Sequence, residues 1–254
     1  MSLSLGESHS EPESLDETPT YAHFERMNPP KNEPADINLR LVGKSPLWGH
    51  LLWNAARVTA EYLDQRRGAF SGKTVLELGA AAALPSLLVS LSADNVVATD
   101  YPDPELIANI QHNIDWLQKQ VSRKLPITCM GYEWGGDTAA LCQAPGQNGK
   151  RFDLIIMSDL IFHHPQHSNL INTCKECLSP DGIVFVVFTP HRPCALATDM
   201  EFFSLAELSG FHVSQTLEQK LTPMFKNGTG CPELRSTVFG YTLTLGESSG
   251  QWLR

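Results

Sequence analysis

Apolar and polar positions change period several times along this chain. From Gly49 to Arg67, the residues Leu51, Leu52, Ala55, Ala56, Val58, Ala60 and Leu63 recur at helical spacing and predict a first helix. Upstream, residues 21–47 are interrupted by Pro29, Pro30, Pro34 and Pro46 and read as irregular. Residues 1–20 are acidic, Ser-rich and poor in apolar side chains, the composition of a disordered tail. Residues 21–254 are expected to form one domain behind that tail.

After the first helix the period alternates. Short apolar runs at Thr74–Leu78, Asn95–Thr99, Ile127–Trp134, Phe152–Met157 and Ile183–Phe188 predict strands. Between them, Ala82–Leu91, Pro104–Gln120 and Gln166–Leu178 read as helices, and Ala197–Leu208 follows as another. In the second of these, Leu106, Ile107, Ile110, Ile114 and Leu117 mark one apolar side. Strands alternating with helices imply a mainly parallel sheet covered on both faces. The C-terminus breaks the pattern. Phe211–Leu221 and Thr237–Leu245 are both strand-like, and the loop between them carries Asn227, Gly228 and Gly230. A connection of that kind suits an antiparallel hairpin and brings the strand count to seven.

Chemistry concentrates at the strand ends. The segment Val75-Leu-Glu-Leu-Gly-Ala-Ala-Ala-Ala-Leu84 runs an apolar strand through Glu77 and Gly79 straight into a helix. Small residues there let backbone approach a ligand closely, and the helix start offers unpaired N–H groups. The next strand ends in Asp100, placed to accept hydrogen bonds from two ribose hydroxyls. Together these residues predict a nucleoside site at the carboxyl edge of the sheet. A dinucleotide needs further glycines to admit its pyrophosphate, and here those positions are Ala81 and Ala83. S-adenosylmethionine has no phosphate and needs close backbone contact only. Tyr101 follows Asp100 on the adenine side, and Trp134 serves either as an adenine edge or as a core residue. Ser158 and Asp159 end the fourth strand and face the same cleft.

Bulk properties narrow the partners. The formal net charge of −9 argues against an extended nucleic-acid surface and suits a small-molecule site or a basic protein substrate. The six cysteines are scattered, as in a reduced, intracellular protein. No apolar run is long enough for a bilayer, and the N-terminus has neither a secretory nor a mitochondrial pattern, so the expected location is cytoplasmic.

Five segments carry a resemblance: Glu77-Leu-Gly-Ala-Ala-Ala-Ala-Leu-Pro85, Ala98-Thr-Asp-Tyr-Pro-Asp103, Tyr132-Glu-Trp-Gly135, Ser158-Asp-Leu-Ile-Phe162 and Thr189-Pro-His-Arg-Pro193. They resemble the class I lysine methyltransferase-like family, and within it the fungal branch first labelled nicotinamide N-methyltransferase-like. The resemblance covers about residues 45–245. It implies a Rossmann-like, seven-stranded S-adenosylmethionine-dependent methyltransferase that modifies the N-terminal amine and an adjacent lysine of translation elongation factor 1-alpha. It also implies cofactor contacts from Trp48, Gly79, Ala80, Ala81, Asp100, Trp134 and Ser158, to which the strand-end pattern adds Glu77 and Tyr101. The chain departs from the family at Met224–Cys231, where Lys226 and glycines stand in a loop that tends to be acidic. A monomer without nucleic-acid or membrane partners is expected.

Asp159 opens the acidic-x-x-aromatic segment that the resemblance links to the substrate amine. It is expected to orient the incoming ammonium rather than remove its proton, since a nearby carboxylate favours the cation. A helix cap is the alternative role. Cys174 and Cys177 lie inside a helical pattern without a second ligand pair, and His163, His164 and His167 read as a polar loop entering a helix, so no metal is expected. A small-molecule N-methyltransferase, a nicotinamide-cofactor oxidoreductase and a non-catalytic binding protein are the competing readings.

Overall fold

The structure, a computed structural model, describes residues 18–43, 49–225, 230–246 and 251–253. The tail expected at residues 1–20 lies outside these except for its last three residues, and so do Trp48 and Lys226.

The region read as irregular contains a hairpin. Strand β1 (Thr20–Glu25) pairs antiparallel with β2 (Asp36–Leu41). In β2 the apolar Ile37, Leu39 and Leu41 alternate with Asp36, Asn38 and Arg40, and the apolar three are buried. Pro29, Pro30 and Pro34 sit in the connection rather than in the strands, which is why they misled the reading, and Pro46 lies outside the described residues. Two ties dock the hairpin. Arg26, fully buried, forks onto Asp64 at 2.9 and 2.6 Å and onto Glu33 at 2.9 Å. Asn109 and Asn113 donate to the Arg40 carbonyl, each at 2.9 Å.

Helix α1 (Asn54–Gln65) begins five residues later than expected, because Gly49–Leu52 form turns. The alternation then follows the sequence closely: β3 (Thr74–Leu78), α2 (Leu84–Val89), β4 (Asn95–Asp100), α3 (Pro104–Gln120) and β5 (Ile127–Gly131). Asp103 caps α3 by accepting the Glu105 and Leu106 N–H groups, and Pro104 takes its first position, where no N–H is needed. A short α4 (Thr138–Cys142), not foreseen, precedes β6 (Phe152–Ser158). It is followed by α5 (His167–Cys177), β7 (Leu178–Phe188), α6 (Leu196–Leu208), β8 (His212–Lys220), a single turn α7 (Pro232–Arg235) and β9 (Thr237–Thr244).

The seven-stranded sheet has the order β5-β4-β3-β6-β7-β9-β8. Its first five strands are parallel, and β9 runs antiparallel to both β7 and β8, as the C-terminal pattern predicted. Strand periodicity sorts the core onto two faces. Val75, Ala98, Leu154 and Phe185 pack towards α1, α2, α3 and the hairpin. Leu76, Val97, Ile155 and Val186 pack towards α5 and α6. Strands buried on both faces are apolar nearly throughout, and polar residues gather at their ends. Among the described residues no helix is long and apolar enough to cross a membrane.

Candidate functional site

The turn after β3 has an unusual backbone. Gly79, Ala81 and Ala83 all adopt left-handed φ values, of 61°, 49° and 60°. The alanines stand where glycine is normally required, yet they keep the shape of a glycine-rich turn, at a cost of about 1–2 kcal/mol each. Hydrogen bonds hold it in place. The Ala80 N–H donates to the Thr99 carbonyl at 2.8 Å, and the Ala81 N–H donates to Asp100 Oδ2 at 2.7 Å. Asp100 Oδ1 accepts the Tyr101 N–H at 2.7 Å. Burial raises the Asp100 pKa above the usual carboxylate value; the two N–H bonds oppose this and the charge of Asp103 adds to it.

A cleft of about 210 Å³ opens at the carboxyl ends of β3, β4 and β6. Gly79, Ala81, Asp100, Tyr101, Trp134, Ser158 and Asp159 line it, so seven residues picked from the sequence converge on one site. Trp134 lies three residues beyond β5 rather than in it, and packs against Gly79 and edge-on to His163, with ring centres 5.4 Å apart. Ser158 donates to Thr59 Oγ1 at 3.1 Å, joining β6 to α1. Glu77 and Ala80 line a much smaller cavity, of about 20 Å³, that shares Trp53, Gly79, Ala81 and Ser158 with the cleft.

Glu77 is fully enclosed, and its Oε2 accepts both the N–H and the hydroxyl of Ser86, at 3.0 and 2.5 Å. Burial pushes its carboxyl up from 4.5 to about 8; the Ser86 bonds oppose the shift and the Asp100 charge assists it. Between pH 4.5 and about 8 the unfolded chain therefore releases a proton that the folded chain keeps. Stability contributed by this group is highest below that window and falls as pH rises through it. Glu77→Gln retains an acceptor for Ser86 and is expected to remove the dependence. By denaturant titration it should exceed wild type by about 2–4 kcal/mol at pH 8 and match it at pH 4.5. Parallel pH profiles for the two proteins would refute this.

A second cavity, of about 230 Å³, adjoins the cleft and shares Trp53 and Phe162 with it. His191, Arg192, Asp199 and Phe225 complete it with Thr189. Asp159 lines the first cavity and touches Thr189 and His191 of the second, in a left-handed conformation with φ at 55°. Its Oδ1 accepts the Thr189 N–H at 2.8 Å, and its Oδ2 lies 3.3 Å from His191 Nε2. Trp53, His191 and Phe225 form an edge-to-face cluster with centre distances of 4.9, 5.8 and 6.1 Å. Sequence reasoning had not selected Trp53, His191, Asp199 or Phe225. A signal existed for Asp199, a carboxylate among the buried positions of α6.

The lining also speaks to the ligand. It holds three carboxylates, from Asp100, Glu133 and Asp159, and no lysine or arginine among the described residues. That set repels a pyrophosphate and suits a cationic, phosphate-free nucleoside. A β-carbon on Gly79 would meet Leu160 at 2.5 Å and Trp134 at 3.3 Å, so the floor is cut to a bare backbone.

A family model described as lysine methyltransferase matches residues 35–208. The chain belongs to the lysine methyltransferase family. Among the curated proteins it is similar to the protein N-terminal and lysine N-methyltransferase EFM7 of Debaryomyces hansenii, with 45% identity over 89% of this chain and 89% of that protein. It is likewise similar to its namesakes in Yarrowia lipolytica (45% identity; 85% and 84% covered) and Schizosaccharomyces pombe (43% identity; 84% of each covered). The fold matches solved structures more distantly. SMU.776 in complex with SAH aligns with a TM-score of 0.57 at 15% identity, over 81% of this chain and 53% of that one. A Streptococcus mutans chain described as a SAM-dependent methyltransferase aligns at 0.56 and 16% identity, again over 81% of this chain and 53% of that one.

As a member of the lysine methyltransferase family the chain is an S-adenosylmethionine-dependent protein methyltransferase, and the carboxylate-lined cleft fits that cofactor. Cys174 and Cys177 are buried in α5, and burial pushes both thiols up. His164 pairs with Asp199 at 2.6 Å and His167 with the Ile161 carbonyl at 2.6 Å, so the histidines diverge to separate partners. Burial, followed by the charges of Arg192 and His164, lowers the pKa of His163.

Proposed function

We propose that this protein methylates the N-terminal amine and an adjacent lysine of translation elongation factor 1-alpha, acting as a cytoplasmic monomer with one catalytic domain. The observation that carries the reading is the pair of joined cavities with Asp159 at their junction. The relatives named protein N-terminal and lysine N-methyltransferase support the two amine positions, and the motif resemblance supports the elongation factor.

S-adenosylmethionine supplies a methyl group on a positively charged sulfur. In our reading Asp100 holds its ribose, Trp134 and Tyr101 flank its adenine, and Gly79, Ala80 and Ala81 receive it against bare backbone. Ser158 borders the reacting end and Glu77 supports the turn from behind, while the contact that the resemblance implies for Trp48 falls outside the described residues. The second cavity takes the amine. Trp53, Phe162 and Phe225 offer aromatic faces and edges and Asp199 supplies negative charge, a combination that attracts an ammonium, with Asp159 adding its charge from the adjoining cleft. Asp159 fixes the direction of approach, so the nitrogen and the methyl carbon meet in line with little further motion.

The test is a labelled-cofactor assay with recombinant elongation factor 1-alpha and with nicotinamide in separate reactions. Label on the factor's N-terminal amine and adjacent lysine, located by mass spectrometry, is the expected result. Label on nicotinamide alone would make the protein a small-molecule enzyme.

A further inference from the structure

An ammonium drawn into the second cavity has no lone pair and cannot accept a methyl group until it loses a proton. Asp159 is poorly suited to take that proton. Both its oxygens are engaged, and a carboxylate beside an amine stabilises the cation. His191 is placed differently. Asp159 holds its Nε2, while Nδ1 has no hydrogen-bond partner among the described residues. Its backbone N–H is tied to the Thr189 carbonyl at 2.7 Å, and its ring borders the second cavity. The side chain is 14% exposed, so it touches both the cavity and water. The other charged groups bordering that cavity are Arg192 and Asp199, the latter paired with His164.

We propose that His191 is the proton acceptor for the substrate amine, and that Asp159 is its positioning residue. This rests on the reading that the acceptor is an amine. The ammonium proton moves to His191 Nδ1, and the N–H bonding pair stays on nitrogen as a lone pair. The resulting imidazolium is stabilised by the Asp159 carboxylate. The lone pair forms the new N–C bond, the electrons of the broken C–S bond remain on sulfur, and the positive charge passes to the methylated nitrogen. His191 then returns its proton to water at its exposed edge, a shuttle role that imidazole suits at neutral pH.

The proposal makes the two amines respond differently. Without a shuttle, only an amine already neutral on entry reacts. At pH 7.5 that is about one lysine in a thousand but about a third of N-terminal amines. Asp159→Asn should mimic loss of the ring. Its oxygen must stay on the Thr189 N–H, so its amide donates to Nε2 and forces the ring proton onto Nδ1, which can then accept nothing.

The experiment is single-turnover methylation of elongation factor 1-alpha by the full chain, with the two amines resolved by mass spectrometry at pH 7.5 and 9.5. We expect His191→Gln and Asp159→Asn to lower the lysine rate at least ~100-fold at pH 7.5 and the N-terminal rate less than ~10-fold. At pH 9.5 the gap should narrow, and added imidazole should restore part of the lysine rate in His191→Ala. Cofactor affinity by calorimetry should stay within about twofold in His191→Gln, since His191 borders only the second cavity. Equal losses at both amines with an unchanged pH dependence, or a weakened cofactor affinity in His191→Gln, would reduce His191 to packing between Trp53 and Phe225 and overturn the proposal. A wild-type protein that binds cofactor but modifies neither amine would instead overturn the amine reading on which the proposal stands.

Discussion

Asp100→Ala is expected to weaken S-adenosylmethionine binding at least ~100-fold while leaving the protein folded. Each oxygen of this carboxylate accepts one backbone N–H, from Ala81 and from Tyr101, and each has a further lone pair for a ribose hydroxyl. Hydrogen bonds to a charged group contribute about 1.5–3 kcal/mol apiece, so losing two costs about 3–6 kcal/mol of binding. The substitution also frees the Ala81 N–H that pins the left-handed turn, which adds to the loss. Folding responds differently. Burial already disfavours the charged form of Asp100, so the variant gives up an unfavourable charge along with two hydrogen bonds, and its melting temperature without cofactor should move little. Calorimetry and thermal denaturation separate the two effects. Binding within about threefold of wild type would show that the ribose is held elsewhere.

Gly79→Val is expected to abolish detectable cofactor binding and to destabilise the fold as well. The position has φ at 61°, where a β-branched residue is strained. Its new β-carbon would lie 2.5 Å from a Leu160 methyl and 3.3 Å from Trp134, the two side chains that shape the cleft beside it. Leu160 can rotate, but it is itself buried and has little room to give. Strain and overpacking together should cost about 2–4 kcal/mol of stability, read by denaturant titration. The side chains displaced into the cleft remove the space for the ligand. Ala81→Gly is the instructive contrast. It relieves a left-handed alanine and should bind cofactor as wild type does. Normal binding by Gly79→Val would mean that the ligand does not approach this turn.

Which parts of this molecule were legible in sequence follows from how locally each is encoded. β3, β4 and β6 announce themselves because strands buried on both faces must be apolar nearly throughout, and the polar residues at their carboxyl ends, Asp100 and Ser158 with Asp159 behind it, mark the site. The C-terminal antiparallel strand was legible because no helix long enough for a crossover was expected before it; the connection in fact holds the single turn α7, too short to make one. The hairpin of β1 and β2 was not. Its alternation at Ile37, Leu39 and Leu41 is short, and it gains its stability from distant partners, Asp64 and Asn113, that no local window contains. The same reason hid the second cavity. Trp53, His191, Asp199 and Phe225 come from four separate parts of the chain, and only the fold brings them together. Ala81 and Ala83 correctly pointed away from a pyrophosphate, but nothing in their identity disclosed that they would hold glycine-like conformations.

The strand order has a consequence for how the chain matures. β9 is made after β8 yet lies between β7 and β8, so β8 has no neighbour in the sheet until residues 237–244 have left the ribosome. Until then the edge of β7 is an open row of N–H and carbonyl groups, available to any passing strand. The second cavity borrows Thr189 and His191 from the loop that follows β7, so it is set in place late as well. Synthesis thus yields the first cleft nearly complete and the second cavity last. A newly made chain is most exposed to mispairing, and to capture by chaperones, in the interval before its final strand arrives.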